Sequence, residues 1–198
     1  MLIMKLPLNC EVEYIEDFLS EESANKLFSE LMSIVEKQNF RPSTEEGKTY
    51  TVNFGKIMFL DKKLIDENRF PEKQWGASNA WTDKLKLVKE QIEKLTNQQF
   101  QVCVLIYYPD GNSGVDYHSD YPAFGDTTII PSLSVGEERE FKFRNKESGD
   151  EFCQVLSNGS LTIMGDHCQE RYEHSLPINS EYKRPRMNLT FRKYGFDN

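Results

Sequence analysis

From Phe100 onward the chain breaks into seven short runs: "FQVCVLIYY", "TTIIPSLSVG", "REFKFRNK", "EFCQVLS", "GSLTIMG", "YEHSLP" and "RMNLTFRKY". Many alternate apolar and polar residues, the period of a strand with one face buried. Turn signals such as "PDGNSG" (Pro109 to Gly114) and "SNG" (Ser157 to Gly159) separate them,. The first half reads differently. Glu11 to Phe18 is expected to open as a strand. In "DFLSEESANKLFSELMSIVEKQNF" Ala24, Leu27, Phe28, Leu31, Ile34 and Val35 recur at helical spacing, with Ser20 ahead of Glu21 and Glu22 as the start signal,. A polar loop follows over Arg41 to Lys48, then a strand in "YTVNFGKIMFL". Asp61 to Ala80, with Pro71 and Gly76, reads as a long irregular surface excursion,. A second amphipathic helix in "AWTDKLKLVKEQIEKLTN" turns Trp81, Leu85, Val88, Ile92 and Leu95 inward,. Two helices ahead of many short strands predict an α+β protein, with the helices packed on one sheet of an antiparallel jelly roll.

The 198 residues are expected to form a single domain, 1–198, with residues 1–99 as an N-terminal helical extension and 100–195 as the β core,. The chain is 38% hydrophobic and 28% charged, an ordinary globular balance,. No apolar run is long enough for a membrane span, and the opening Met1-Leu-Ile-Met-Lys-Leu-Pro lacks the basic n-region of a signal peptide,. An intracellular, cytoplasmic monomer is expected, with the nucleus left open. Cys10, Cys103, Cys153 and Cys168 lie far apart without a CxxC, so free thiols are expected rather than a disulfide framework or a zinc site,. The net charge of -8 has the wrong sign for a generic nucleic-acid binder,. Lys142, Arg144 and Lys146, and the C-terminal group Lys183, Arg184, Arg186, Arg192 and Lys193, are the local exceptions. As solvated faces they need no ligand.

Chemistry concentrates in "VDYHSDYPAF" (Val115 to Phe124). His118 and Asp120 are two apart, and in a strand they would point to the same side. Two imidazoles and one carboxylate are the ligand set of non-haem iron(II) oxygenases. The remaining histidines, His167 and His174, are the available third ligands, and a His-x-Asp pair by itself is weak. A second feature adds weight: Arg186, Asn188, Thr190 and Arg192 share one face of the last predicted strand. Two guanidinium groups on one face suit a dicarboxylate, since the Arg fork binds carboxylates bidentately.

The segment Phe100 to Arg192 resembles the AlkB family of iron(II)/2-oxoglutarate dioxygenases. The resemblance rests on "YPDGNSGVDYHSD", "SLSVGEEREFKFR", "GSLTIMGDHCQERYEHSLP" and "RMNLTFR", and with "LKLVKEQIEKLTNQQF" it extends over about residues 50 to 195. It implies a double-stranded β-helix fold. It implies Fe(II), 2-oxoglutarate and O2 as cofactors and co-substrates, with His118, Asp120 and His174 as metal ligands and catalytic centre. Arg186 and Arg192 would bind the two ends of 2-oxoglutarate, helped by Asn188 and Tyr108. The implied reaction oxidises a substrate C–H bond with release of succinate and CO2, in the family often oxidative N-demethylation of an alkylated nucleobase or nucleic acid. The same chemistry on a protein side chain or small metabolite is the alternative. The chain departs from the family twice: Ile106 stands where the family carries Asn, and Tyr121-Pro122-Ala123-Phe124 replaces acidic residues that touch the base. Tyr121 and Phe124 are therefore the candidate substrate contacts, able to stack on a flat base.

Overall fold

A computed structural model of the chain describes residues 2–37 and 54–195, together with the backbone of 43–45 and 48–50. In chain order the elements are β1 (Met4–Lys5), β2 (Val12–Ile15), α1 (Glu21–Val35), β3 (Ser43–Glu45), β4 (Lys48–Tyr50), β5 (Gly55–Leu60), α2 (Lys62–Asp66), α3 (Glu72–Trp75), β6 (Ala77–Ala80) and α4 (Asp83–Thr96). There follow β7 (Val102–Tyr108), β8 (Val115–His118), β9 (Ile130–Gly136), β10 (Arg139–Asn145), β11 (Glu151–Leu156), β12 (Leu161–Met164), α5 (Cys168–Arg171), β13 (Tyr172–Leu176) and β14 (Arg186–Arg192). The large sheet runs β1-β2-β12-β9-β14-β7-β5-β6 and the smaller β11-β10-β13-β8. Among the described residues the named strands pair antiparallel except β5 with β6. The two sheets face each other as a jelly roll. Val12, Ile130 and Met164 from the large sheet share one apolar cluster with Phe143, Leu156 and Tyr172 from the small one.

The large sheet has two occupied faces, and the strand period sorts them. Met187, Leu189 and Phe191 of β14, with Cys103 and Leu105 of β7, pack against Leu27 and Leu31 of α1 and Leu85, Val88 and Ile92 of α4. The residues between them, Arg186, Asn188, Thr190 and Arg192, point the other way, into a cavity between the sheets,. Both helices start on caps: Ser20 Oγ accepts from the Ser23 amide, and Thr82 Oγ1 from the Leu85 amide,. α4 ends on Asn97 in the left-handed conformation,.

Two expectations need correction. The stretch Asp61 to Ala80 is not irregular: it holds α2, α3 and β6, the last a parallel edge strand on β5. Its "ASNA" has no apolar alternation to announce a strand. Of the polar loop expected over 41–48, the described part belongs to a hairpin of β3 with β4, and the rest lies outside the described residues. So do residues 51–53 of the strand expected in "YTVNFGKIMFL".

Arg139, the first residue of β10, is almost fully buried. Its guanidinium donates to the carbonyls of Asp110, Ser113 and Pro177. It fastens the turn after β7 to the loop after β13. These loops meet so closely that a side chain at Gly111 would strike the Asn179 carbonyl. All four cysteines are free thiols. Among the described residues no helix is long and apolar enough to cross a membrane.

Candidate metal centre and its pocket

His118 is the last residue of β8, and His174 lies in β13 directly opposite it in register. Asp120 is not on the strand, as its spacing suggested. It sits in the turn just beyond, where its amide donates to the Gln169 side chain of α5 at 2.8 Å. The ligand atoms of His118, Asp120 and His174 all lie within 4.8 Å of one another, a group that could hold a metal ion. The His118 Nδ1–H donates to the Asp116 carbonyl at 2.8 Å, leaving Nε2 with a free lone pair,. His174 is buried, with Phe141 stacked on its ring at 5.3 Å. Burial holds its pKa down at about 4, partly opposed by Asp120, so the imidazole is the neutral form a metal requires,. His167 is remote: exposed, left-handed and paired with Asp166 and Glu170.

These three residues stand at one side of a cavity of about 300 Å3 whose opposite wall is the inner face of β14, β7 and β5. Arg186 is 1% exposed. Its Nη2 donates to Ser134 Oγ at 2.9 Å, while its Nε and Nη1 have no hydrogen-bond partner among the described residues. Burial lowers its pKa to about 10. Arg192, at the other end of the strand, donates from Nη2 to the Tyr121 carbonyl, and its Nη1 lies 3.5 Å from Asp120 Oδ1. Its Nε is likewise unpartnered. Between them, Asn188 Oδ1 accepts from Ser132 Oγ and its Nδ2 donates to Thr190 Oγ1. A buried guanidinium with unmade bonds costs stability unless an anion completes it. A carboxylate in this cavity would supply the missing partners.

Tyr108 faces the same space, directly opposite Arg186 in the β7–β14 register. Burial pushes its phenol up to about 12, against the pull of Arg186 and Arg139. Its folded value lies above the unfolded one near 10, so the stability it contributes is present below pH 10 and lost as pH rises toward 12. The full loss is about 3 kcal/mol. Tyr108→Phe should flatten the alkaline limb of a denaturation profile between pH 10 and 12. An unchanged limb would contradict this.

The proposed stacking pair is not in the cavity. Tyr121 is 77% exposed beyond it. Phe124 packs edge-on against Phe70 and Trp75, and the Arg192 guanidinium lies 5.3 Å from its ring. Cavity residues that the sequence did not single out include Phe141. Phe143 is core, and Phe141 packs against that core while also lining the cavity over His174. Lys56 also lines it. Its parity with Ile106 across two strands was the available signal, and it required knowing that β5 pairs with β7. A shallower depression between α1 and α4 is lined by Glu22, Lys26, Glu30 and Lys84, which pair with one another.

The chain matches the family model of the 2OG-Fe(II) oxygenase superfamily over residues 11–192. It is 36% identical over 122 residues to alpha-ketoglutarate-dependent dioxygenase alkB homolog 3 of Mus musculus, covering 57% of this chain and 43% of that protein. It is 30% identical over 116 residues to uncharacterized protein R406 of Acanthamoeba polyphaga mimivirus, covering 58% and 61%. Over 128 residues it is 32% identical to DNA oxidative demethylase ALKBH2 of Bos taurus, covering 59% and 45%. The chain spans about half the length of the curated relatives it matches. The solved structure of OsALKBH1 shares the fold, with a TM-score of 0.68 at 14% identity over 96% of this chain and 100% of that one.

Proposed function

The chain belongs to the 2OG-Fe(II) oxygenase superfamily, and from that premise we propose that it is an AlkB-like dioxygenase removing an N-alkyl group from a nucleobase or nucleic acid. The observation that carries the reading is one cavity holding both a His-Asp-His group and a buried guanidinium whose bonds are unmade. The residues fit the group they would hold. His118, Asp120 and His174 supply the two imidazoles and one carboxylate suited to iron(II). Arg192, beside Asp120, stands at the metal end and Arg186 at the far end, so each would take one carboxylate of 2-oxoglutarate. Asn188 and Tyr108 would orient the chain between them. When bound, iron(II) would activate O2, the oxidant, with 2-oxoglutarate supplying two of the electrons. Oxygen is consumed, 2-oxoglutarate becomes succinate and CO2, and an N-methyl carbon leaves as formaldehyde.

The protein's own part is placement. Phe141 stacks on His174 and Tyr108 stands opposite Arg186, and this burial strengthens the charge interactions there,. Tyr121, exposed just beyond the site, is proposed as a stacking contact for a base outside the cavity, while Phe124 supports Arg192. We also propose that residues 1–198 act as one domain, as a monomer inside the cell. The relatives named as a DNA oxidative demethylase and an alkB homolog support nucleic acid as the substrate class.

One observation favours the alternative, a protein side chain or small metabolite. The cations of the half-buried β10 strip are already paired, Lys142 with Glu151 and Arg144 with Glu173. Incubating the chain with iron(II), 2-oxoglutarate and methylated oligonucleotides separates the readings. Nucleobase demethylation gives succinate and formaldehyde in equal amounts. Slow succinate formation that no oligonucleotide stimulates would favour the alternative, and absence of succinate under all conditions would sink the enzyme assignment.

A further inference from the structure

One cation of the cavity is left over by this assignment. Lys56 on β5 is in register with Ile106 of β7, and Ile106 with Asn188 of β14, so all three side chains point inward,. The Lys56 Nζ stands 5.3 Å from the Trp75 ring centroid. Trp75 packs edge-on against Phe124 at 5.6 Å, and Phe124 carries Arg192 on its ring. Two cations thus flank an aromatic pair at the side of the cavity away from β13. Among the described residues Lys56 makes no ion pair. Asp120 is the one carboxylate of the lining, and it already faces Arg192. Burial, and then repulsion from Arg192, draw the Lys56 ammonium below the ordinary lysine range.

The charges of the loaded site do not cancel. The two carboxylates of 2-oxoglutarate answer Arg186 and Arg192. Iron(II) exceeds Asp120 by one positive charge. Lys56 adds another that no group among the described residues neutralises. A third cation entering this space meets repulsion in a low-dielectric setting. Alkylation at a ring nitrogen of adenine or cytosine makes that base a cation. The same alkylation on thymine or uracil leaves it neutral and keeps two carbonyl oxygens, each an acceptor for an ammonium.

We infer that Lys56 is a specificity-determining residue that selects an uncharged, carbonyl-bearing alkylated base over a cationic one. This rests on the nucleobase reading above. It places Lys56 against the substrate base, with the Trp75 face holding the ammonium in position.

The test uses the full chain loaded with Mn(II), which binds without turnover, and 2-oxoglutarate. Matched oligonucleotides carry either 3-methylthymine or 3-methylcytosine at one position. Binding should favour 3-methylthymine by about tenfold or more, and Lys56→Met should erase most of that ratio. Lys56→Arg should keep it. The 2-oxoglutarate affinity read by calorimetry should change by less than about tenfold between wild type and Lys56→Met. Selectivity that Lys56→Met leaves unmoved would overturn the inference alone. A tenfold loss of 2-oxoglutarate affinity in Lys56→Met would also overturn it, making Lys56 a co-substrate anchor. If neither oligonucleotide binds, the inference and the nucleobase reading fall together.

Discussion

His118→Ala should abolish metal-dependent succinate formation while leaving the protein folded. His118 is exposed at the end of β8, so its truncation creates no cavity and is expected to change stability by no more than about 0.5 kcal/mol,. The metal site loses one of three donors, one whose ring is already aimed by the Asp116 carbonyl. Disturbing such an aiming contact alone typically costs about 10–100-fold in metal affinity or activity. Removing the donor itself should exceed that, so a loss beyond about 100-fold in iron affinity is expected. A metal titration followed by succinate release reads both effects, and thermal melting reads the fold. Turnover at the wild-type rate would remove His118 from the metal centre.

The second large effect has two opposite signs. Arg186→Met should weaken 2-oxoglutarate binding by at least about 100-fold, since two hydrogen bonds to a charged group contribute about 1.5–3 kcal/mol each. The same change should raise the stability of the protein without 2-oxoglutarate. Arg186 is nearly inaccessible, no carboxylate contacts it among the described residues, and two of its nitrogens make no bond. Replacing such a buried charge by an apolar side chain of similar volume is often stabilising by about 1–4 kcal/mol. Calorimetry with 2-oxoglutarate and chemical denaturation without it give the two numbers. Metal affinity should stay unchanged. An equal loss of metal and 2-oxoglutarate binding would contradict the anchoring role, and a large destabilisation would mean that Arg186 is a structural strut.

Much of the site was legible because strand chemistry is periodic. Arg186, Asn188, Thr190 and Arg192 alternate with Met187, Leu189 and Phe191, and the structure puts the first set in the cavity and the second against the helices. The helix faces followed the same logic at a different period: Leu27 and Leu31, and Leu85, Val88 and Ile92, are the buried stripes. Where periodicity was silent, the expectation failed. β6 has no alternation, and its existence depends on the exposed edge of β5. Phe141 and Phe143 have the same parity on β10 and touch one another, yet only Phe141 also lines the cavity.

By itself the sequence determined most of the strands and helices around the site, the faces of those elements and the kind of chemistry their residues can perform, but not β8, which carries His118. These follow from local rules: side-chain period, capping and turn geometry. The tertiary structure alone decided which residues meet. His118 and His174 are far apart in the chain, and the β8–β13 register brings them together. Asp120 reaches them from a turn held by Gln169. Lys56 joins the cavity only because β5 lies beside β7. Tyr121 and Phe124, adjacent to the ligands in sequence, are turned away from the cavity because Arg192 holds the Tyr121 carbonyl and Phe124 packs against Phe70 and Trp75. Neighbourhood in sequence fixes chemistry along a strand. Neighbourhood in space is set by strand pairing and by which side chains can be buried together, and no local pattern encodes either.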